Sequence, residues 1–166
     1  MNPYFQQHIQ NKIKDWAAAQ QQVKEWQETG ETVVFTNGCF DLLHYGHIYY
    51  LAAAKELGNR LVVALNTDAS VQELKGQHRP IKDQKNRLHL MASLQMVDLV
   101  VLFGEPTPLE LIQQLSPNIL VKGGDWRPSQ IVGSDYVLSK GGTVQSLPFI
   151  EGYSTTVLEQ KIKLSK

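Results

Sequence analysis

Two histidines, His44 and His47, lie three residues apart directly after an apolar segment of the chain. This spacing predicts that both imidazoles lie on one face of the first turn of a helix. The N-terminus of a helix carries free N–H groups and a partial positive charge. Two imidazoles added there would form a site for an anion, most naturally a phosphate. Gly46 between them would allow a ligand to approach the backbone closely.

Paired histidines can also bind zinc, with Cys39 and Asp41 as the nearest candidates for further ligands. No second cluster of cysteine and histidine follows in the sequence. We therefore favour the phosphate interpretation and expect no metal site formed by the protein itself. The three aspartates Asp41, Asp68 and Asp125 are isolated from one another. Any Mg²⁺ is expected to be held mainly by the phosphates of a substrate and by water.

A basic segment at residues 74–80 carries Lys75 and Arg79 on either side of Gly76. We interpret it as a flexible loop that folds over a triphosphate, with Lys75 as a point charge and Arg79 as a bidentate clamp. An ordinary solvent-exposed loop is the alternative. The sequence has neither a G-x-x-x-x-G-K-[ST] loop nor a G-x-G-x-x-G turn, so nucleotide binding would depend on the histidine turn.

A glycine-containing segment, Lys122-Gly123-Gly124-Asp125, directly follows another apolar run. Lys122 would lie at the mouth of the site, and the two glycines would expose backbone groups to a base or a ribose. A tight turn with Lys122 in solvent explains the same residues without a ligand.

A hydroxyl-rich segment, Ser154-Thr155-Thr156, precedes the last helical pattern. Thr156 and Glu159 have the spacing of a capping box, which is a purely structural explanation for Thr156. The hydroxyls of Ser154 and Thr155 would then be free to bind a phosphate oxygen at the helix start. Both interpretations stay open at this point.

The composition limits the class of protein. The chain has 166 residues, which suits one core, and 16 basic residues balance 16 acidic ones. This balance argues against nucleic acid or a membrane surface as the main partner. The single cysteine, Cys39, fits a reducing compartment, and no leader or apolar run of membrane-spanning length is evident. We expect a cytoplasmic protein.

The hydrophobic pattern predicts the elements that position these residues. Apolar runs typical of buried strands occur at 32–35, 61–65, 99–103, 119–121 and 143–147. Helical patterns alternate with them at about 45–57, 84–95, 107–115, 134–140 and 155–164. This alternation predicts an α/β fold with a doubly wound, five-stranded parallel sheet. Ligands of such sheets bind at the carboxyl ends of the strands, where the polar and glycine residues above are found.

Residues 1–29 differ from the remainder, because they are rich in glutamine and show no strand pattern. Their apolar residues recur at helical spacing: Ile9, Ile13, Trp16 and Val23. We predict one amphipathic helix that packs on the main body or on a second subunit. The domain organisation is then an N-terminal helical extension at 1–29 and a main domain at 30–166.

Residues 36–47 resemble the first motif of the H-x-G-H nucleotidyltransferase superfamily, and residues 151–156 resemble the E-G-x-S-T-T motif of its cytidylyltransferase-like branch. The resemblance implies a Rossmann-like nucleotidyltransferase fold. Within this branch the chain is most similar to D-glycero-β-D-manno-heptose 1-phosphate adenylyltransferases, on the segments 74–80, 120–126 and 133–142. Phe149 stands where the cytidylyltransferases usually have an arginine, which favours the heptose group.

The resemblance implies transfer of AMP from ATP to a heptose 1-phosphate, giving ADP-heptose and pyrophosphate for lipopolysaccharide core synthesis. It assigns the catalytic roles to His44, His47 and Lys75, and acceptor binding to Asp41. Mg²⁺ would accompany the ATP. The residues implied in nucleotide and phosphate binding are Thr36, Asn37, Gly38, Cys39, Phe40, Gly46, Arg79, Lys122, Gly123, Gly124, Asp125, Ser154, Thr155 and Thr156.

The heptose group is the second domain of a bifunctional enzyme, and the resemblance implies a stand-alone form here. A separate kinase and phosphatase would then act earlier in the pathway, and a homodimer is implied. Two alternatives stay open. One is a cytidylyltransferase for glycerol 3-phosphate or another small alcohol phosphate. The other is a nucleotide-binding module without turnover, which the presence of both histidines and of Lys75 disfavours. Pantetheine-phosphate and nicotinate-mononucleotide adenylyltransferases fit the E-G-x-S-T-T context less well.

Overall fold

A computed structural model describes residues 3–165. Its strands are β1 (Val33–Gly38), β2 (Arg60–Asn66), β3 (Leu99–Phe103), β4 (Ile119–Gly123) and β5 (Thr143–Leu147). They form one parallel sheet in the order β3-β2-β1-β4-β5. The predicted five-stranded, doubly wound α/β fold is confirmed. The strand order reverses between β1 and β4, and in open parallel sheets such a switch point opens a crevice for ligands.

The sheet is covered by helices on both faces, which explains why its strands are apolar without alternation. Successive residues of β1 enter different cores. Val33 and Phe35 belong to the core on one face, whereas Val34 belongs to the core on the other. All three side chains are buried.

The helices connect the strands and extend the chain at both ends. They are α1 (Tyr4–Lys12), α2 (Trp16–Glu28), α3 (Tyr45–Lys55), α4 (Asp68–Lys75), α5 (Gln84–Ser93), α6 (Leu109–Leu115), α7 (Ser134–Ser139) and α8 (Thr155–Leu164). A short 3-10 helix spans Pro128–Gln130. No helix within residues 3–165 is both long and apolar enough to cross a membrane.

The predicted N-terminal helix is present, but it is divided into two separate helices, α1 and α2. Ile13 is extended and pairs with Val100 of β3, and the N–H of Lys14 donates to the Val100 carbonyl at 3.0 Å. Asp15 then caps α2 by accepting from the N–H of Ala18 at 2.8 Å. Backbone pairing with the sheet edge therefore interrupts a continuous helical pattern.

The second of these helices is part of the main core. Ala19 and Val23 of α2 are buried with residues of the sheet and of α6, and the indole N–H of Trp16 donates to the carbonyl of Leu102 at 2.7 Å. The division of the chain at residues 29 and 30 stays a prediction, and α2 shares its core with the sheet beyond it.

The expectation of a loop at residues 74–80 needs a correction at its start. Lys75 belongs to the last turn of α4, an element that the hydrophobic pattern did not predict. Thr67 caps this helix by accepting from the N–H of Ser70 at 3.3 Å, and Gly76, with a φ of 95°, ends it. Lys75 is therefore held on a helix, and only the residues after it form a loop.

Candidate active site

A cleft of about 170 Å³ lies at the carboxyl ends of β1 and β4, at the switch point of the sheet. The start of α3, the end of α4 and the start of α8 surround it. Its lining residues are Asn37, Gly38, Cys39, Phe40, Asp41, His47, Tyr50, Lys75, Lys122, Gly123, Phe149 and Thr155. The position agrees with the general rule for ligand sites of doubly wound sheets.

The two histidines stack on each other at the start of α3. His44 is the N-cap residue and His47 lies in the first turn, with ring centroids 3.8 Å apart and planes 26° apart. The Nδ1 atoms of both rings are buried and have no hydrogen-bond partner within the described part of the chain. Burying a polar atom without a partner is costly, so a bound ligand or water is one explanation for these two atoms.

Burial favours the neutral form of both rings. Burial lowers the pKa of His44. Burial, with smaller contributions from His44 and Lys75, lowers the pKa of His47 to about 4. Neutral imidazoles beside cationic groups form a site that is short of negative charge, as an anion-binding site requires.

Two glycines make room for this arrangement. A Cβ on Gly46 would lie 3.1 Å from both the Nδ1 atom of His44 and the carbonyl oxygen of Tyr153. Gly46 therefore lets the chain before α8, and not only a ligand, approach α3. A Cβ on Gly38 would lie 2.9 Å from the ring of Phe40, a residue with a positive φ of 46° whose ring is 5.2 Å from that of His47.

Two lysines from different elements bring positive charge to the cleft. Lys75 reaches it from the end of α4, and Lys122 reaches it from the end of β4. Burial lowers the pKa of Lys122, an effect that the nearby Cys39 partly opposes. The structure thus brings together Lys75, Lys122 and His47, although they are far apart in sequence.

Two residues that were not predicted as site residues, Tyr50 and Phe149, also line the cleft. The Tyr50 hydroxyl lies 2.6 Å from the Thr36 hydroxyl and donates to the carbonyl of Val121 at 3.3 Å, which joins β1 to β4. Burial raises the pKa of Tyr50 to about 12. A Cβ on Gly123 would lie 2.7 Å from the Phe149 ring, so Gly123 allows that ring to pack over the strand end.

Asp41 is already bound by protein groups. Its buried carboxylate accepts from the N–H groups of Ile81 and Lys82, each at 2.9 Å, and from Nη1 of Arg79 at 2.5 Å. Burial alone would raise the pKa of Asp41, but these hydrogen bonds outweigh it and lower the pKa. Nη2 of Arg79 pairs with Glu159 of α8. The roles predicted for Asp41 and Arg79 toward substrates stay predictions.

The buried Arg87 also holds the loop between α4 and α5, and no sequence motif indicated this arginine. Its guanidinium donates to the carbonyls of Lys82 and Cys39 at 3.1 and 2.9 Å and to the Asp68 carboxylate at 2.7 Å. Arg87 therefore ties α5 to the segment that follows β1. Its position on a polar helix gave no sign of this role in the sequence.

The hydroxyl segment before α8 is arranged differently from the prediction. Thr156 is not the capping residue, because α8 begins at Thr155, and Ser154, in extended conformation, caps it by accepting from the N–H of Val157 at 3.2 Å. Thr155 lines the cleft, whereas Thr156 is exposed.

Some of the predicted residues support the cleft without lining it. Thr36 is buried beneath it, His44 stacks behind His47, and Gly124 carries a positive φ of 114° in the turn after β4. Asp125 is exposed in the same turn.

Two further cavities adjoin the cleft and share Asn37 and Lys122 with it. One, of about 290 Å³, is lined also by Pro108, Trp126, Gln130, Ile131 and Val132. The other, of about 370 Å³, extends toward the ends of β2 and β3, where Asn66 and Phe103 line it. The cleft and the two cavities are therefore continuous around Asn37 and Lys122.

The family model described as cytidylyltransferase-like matches residues 35–156, which include every residue that lines the cleft. The chain belongs to the cytidylyltransferase-like family. The predicted superfamily and branch are thus confirmed, and the chain is a nucleotidyltransferase.

Similar proteins support this membership. The "Bifunctional protein HldE" of Magnetococcus marinus is 54% identical over 156 residues, which cover 94% of this chain and 32% of that protein. The protein of the same name from Trichlorobacter lovleyi is 52% identical over 152 residues, with coverages of 92% and 31%. The chain therefore spans about a third of the length of these relatives.

Solved structures share the fold of this cytidylyltransferase-like chain. The lipopolysaccharide core biosynthesis protein from Thermoplasma volcanium GSS1 is 31% identical, with a TM-score of 0.61, and the match covers 75% of this chain and all of that one. A pantoate-beta-alanine ligase from Francisella tularensis has a TM-score of 0.59 at 17% identity, over 92% of this chain and 77% of that one, and shows a common fold only.

Proposed function

We propose that this nucleotidyltransferase transfers AMP from ATP to D-glycero-β-D-manno-heptose 1-phosphate, forming ADP-heptose and pyrophosphate for lipopolysaccharide core synthesis. The observation that carries the transfer chemistry is the stacked pair His44 and His47 beside Lys75 and Lys122, with two buried Nδ1 atoms that have no partner within residues 3–165. The resemblance to the heptose group and the likeness to a lipopolysaccharide core biosynthesis protein support the choice of acceptor.

In the proposed reaction, an oxygen of the sugar 1-phosphate attacks the α-phosphorus of ATP. A new P–O bond forms, the bond to the bridging oxygen of the β-phosphate breaks, and pyrophosphate leaves with that electron pair. The reaction needs no nucleophile from the protein, so catalysis consists of positioning and of stabilising the charge that develops on the phosphate oxygens.

Four side chains, two histidines and two lysines, are proposed to share this task. His44 and His47 would donate to the α- and β-phosphate oxygens, and Lys75 and Lys122 would add positive charge. Thr155 and the N-terminus of α8 would hold a phosphate oxygen. Removing a single donor of this kind typically costs about 10²- to 10³-fold in rate.

The rest of the nucleotide would contact the backbone of residues 37–40 and the glycine turn at 123–125. The acceptor would occupy the adjoining cavities, which meet the cleft at Asn37 and Lys122. This arrangement would bring the two reacting phosphates together beside Lys122. Asp41 would act on the acceptor side through the loop that its carboxylate holds.

Mg²⁺ is proposed to enter with the triphosphate as part of the substrate. Over residues 3–165, no three His, Cys, Asp or Glu side chains converge on one point, and the Asp41 carboxylate is occupied by protein donors. The donor set on the described chain therefore does not fit a resident metal site, and substrate phosphates are suitable Mg²⁺ ligands.

We also propose that the enzyme acts in the cytoplasm and takes its sugar 1-phosphate from a separate kinase and phosphatase. With a formal net charge of zero, the chain has no excess of charge that would attract nucleic acid or an anionic membrane. The homodimer implied by the resemblance stays a prediction.

A substrate matrix tests this proposal. Pyrophosphate release is measured with Mg²⁺ while ATP and CTP are each combined with heptose 1-phosphate, glycerol 3-phosphate and ethanolamine phosphate. We expect release only with ATP and heptose 1-phosphate. Release with CTP and an alcohol phosphate would replace the proposal with the cytidylyltransferase alternative. ATP binding without release in any combination would contradict the proposed acceptors and favour a module without turnover.

A further inference from the structure

Helix α8 is weakly attached to the rest of the protein, although its first residue lines the cleft. None of its side chains is buried. Among residues 3–165, one side-chain ion pair joins α8 to another part of the chain, and it links Glu159 to Nη2 of Arg79 in the loop after α4. The position of Thr155 at the cleft therefore cannot be explained by burial of α8 in a core.

At its N-terminal end, α8 meets α3 through the chain that precedes it. The rings of Tyr45 and Tyr153 are 5.0 Å apart in an edge-on arrangement, and the Tyr153 carbonyl lies where a side chain on residue 46 would be. Glu159 lies about one turn further along the helix. Its ion pair with Arg79 is a second contact between this part of the chain and the rest of the protein.

The other partner of this ion pair is rigidly held. Nη1 of Arg79 donates to the Asp41 carboxylate, which also accepts from the N–H groups of Ile81 and Lys82. The side chain of Asp41 is 1% exposed and that of Arg79 is 16% exposed. Both terminal nitrogens of the guanidinium are thus engaged by carboxylates of the protein.

We infer that Arg79 is a positioning residue for the transfer reaction, which holds α8 and Thr155 at the cleft through Glu159 and is itself anchored by Asp41. The inference rests on the proposed function. It differs from the prediction that Arg79 clamps the triphosphate, because the Arg79 guanidinium would first have to break its ion pairs with Asp41 and Glu159. Partly exposed ion pairs contribute little to the overall stability, so the effect is expected on the position of α8 and not on folding.

The positioning role and the clamp role of Arg79 predict different effects of substituting Glu159. If Arg79 positions α8, Glu159→Gln and Arg79→Gln both release the helix, and the second substitution adds little to the first in the double variant. If Arg79 is a clamp, Glu159→Gln frees the guanidinium for phosphate. That change would leave the KM for ATP unchanged or lower it, whereas Arg79→Gln would raise it.

The experiment combines hydrogen exchange with kinetics on the full chain. Amide exchange of α8 is measured without ligand in the wild type, Glu159→Gln, Arg79→Gln and the double variant. Glu28→Gln is the matched control, since it removes only the exposed pair with Lys24. We expect faster exchange in α8 and a kcat lowered about three- to tenfold by Glu159→Gln, with a smaller change in the KM for ATP. Arg79→Lys should restore part of the kcat.

Two results would overturn the inference. One is α8 exchange that is the same in Glu159→Gln as in the control. The other is a purely KM-based defect of Arg79→Gln with no defect of Glu159→Gln, which would establish the clamp. The exchange measurement needs no substrate. If release of α8 is observed but no transfer occurs with any substrate pair, the proposed function fails and the attachment of α8 by Arg79 is still demonstrated.

Discussion

At the residue scale, the site depends on groups whose charge state the protein controls. His47 has a pKa of about 4 because it is largely buried and close to His44 and Lys75. Its neutral ring donates one hydrogen bond and leaves the other nitrogen able to take up a proton. A bound triphosphate brings negative charge to this position and should raise the pKa of the ring.

We therefore predict that ATP binding takes up protons at the histidine pair. The pKa of His47 is low in the free protein and higher in the complex, so protons are bound between these two values. The affinity for ATP should consequently rise as the pH falls through this range, by less than about tenfold per pH unit for each proton taken up. Calorimetry in buffers of different ionisation enthalpy measures the uptake directly.

A comparison variant separates this effect from the titration of ATP itself. His47→Asn should bind ATP with less proton uptake than the wild type, whereas His89→Asn, on the exposed part of α5, should match the wild type. Equal uptake in all three proteins would contradict the proposed contact between His47 and the phosphates.

At the element scale, the strands and most helices follow from hydrophobic patterning, because burial of a parallel sheet on both faces imposes it. Two features of the fold could not be predicted from the hydrophobic pattern. The pairing of Ile13 with Val100 divides the N-terminal helical pattern and depends on a strand far along the chain. Helix α4 is short and mostly polar, and Thr67 and Gly76 define its ends. Tertiary contacts decide where the N-terminal helical pattern is divided, and capping decides where α4 begins and ends. Hydrophobic periodicity carries information on neither.

We predict that α2 stabilises the fold without taking part in the chemistry. Val23 is 1% exposed in the main core, and no residue of α2 lines the cleft. Val23→Ala should lower the free energy of unfolding by about 1–3 kcal/mol, since it removes buried methyl groups. The kcat of the folded protein should not change.

Chemical denaturation together with steady-state kinetics checks this prediction. Lys24→Ala, at the exposed neighbouring position, should alter stability by no more than about 0.5 kcal/mol. A large loss of kcat in Val23→Ala at full folding would show that α2 has a role in the reaction.

At the scale of the whole molecule, a chain without net charge concentrates cationic and neutral donor groups at one crevice of its sheet. Residues next to strand ends, such as Lys122 and His47, could be predicted because parallel strands end at the same edge. The structural roles of Phe149, Tyr50 and Glu159 could not be predicted, because they depend on ring packing, on a hydroxyl contact and on an ion pair between distant segments.

The measurement that tests the central claim most directly is the transfer of label from the α-phosphate of ATP to heptose 1-phosphate. The wild type should form a labelled sugar nucleotide and an equal amount of pyrophosphate. His47→Asn should be slower by at least about 10²-fold with an unchanged unfolding midpoint, and His89→Asn should match the wild type. Label recovered only as free AMP, or equal rates in His47→Asn and the wild type, would contradict the assignment of the histidine cleft as the site of nucleotidyl transfer.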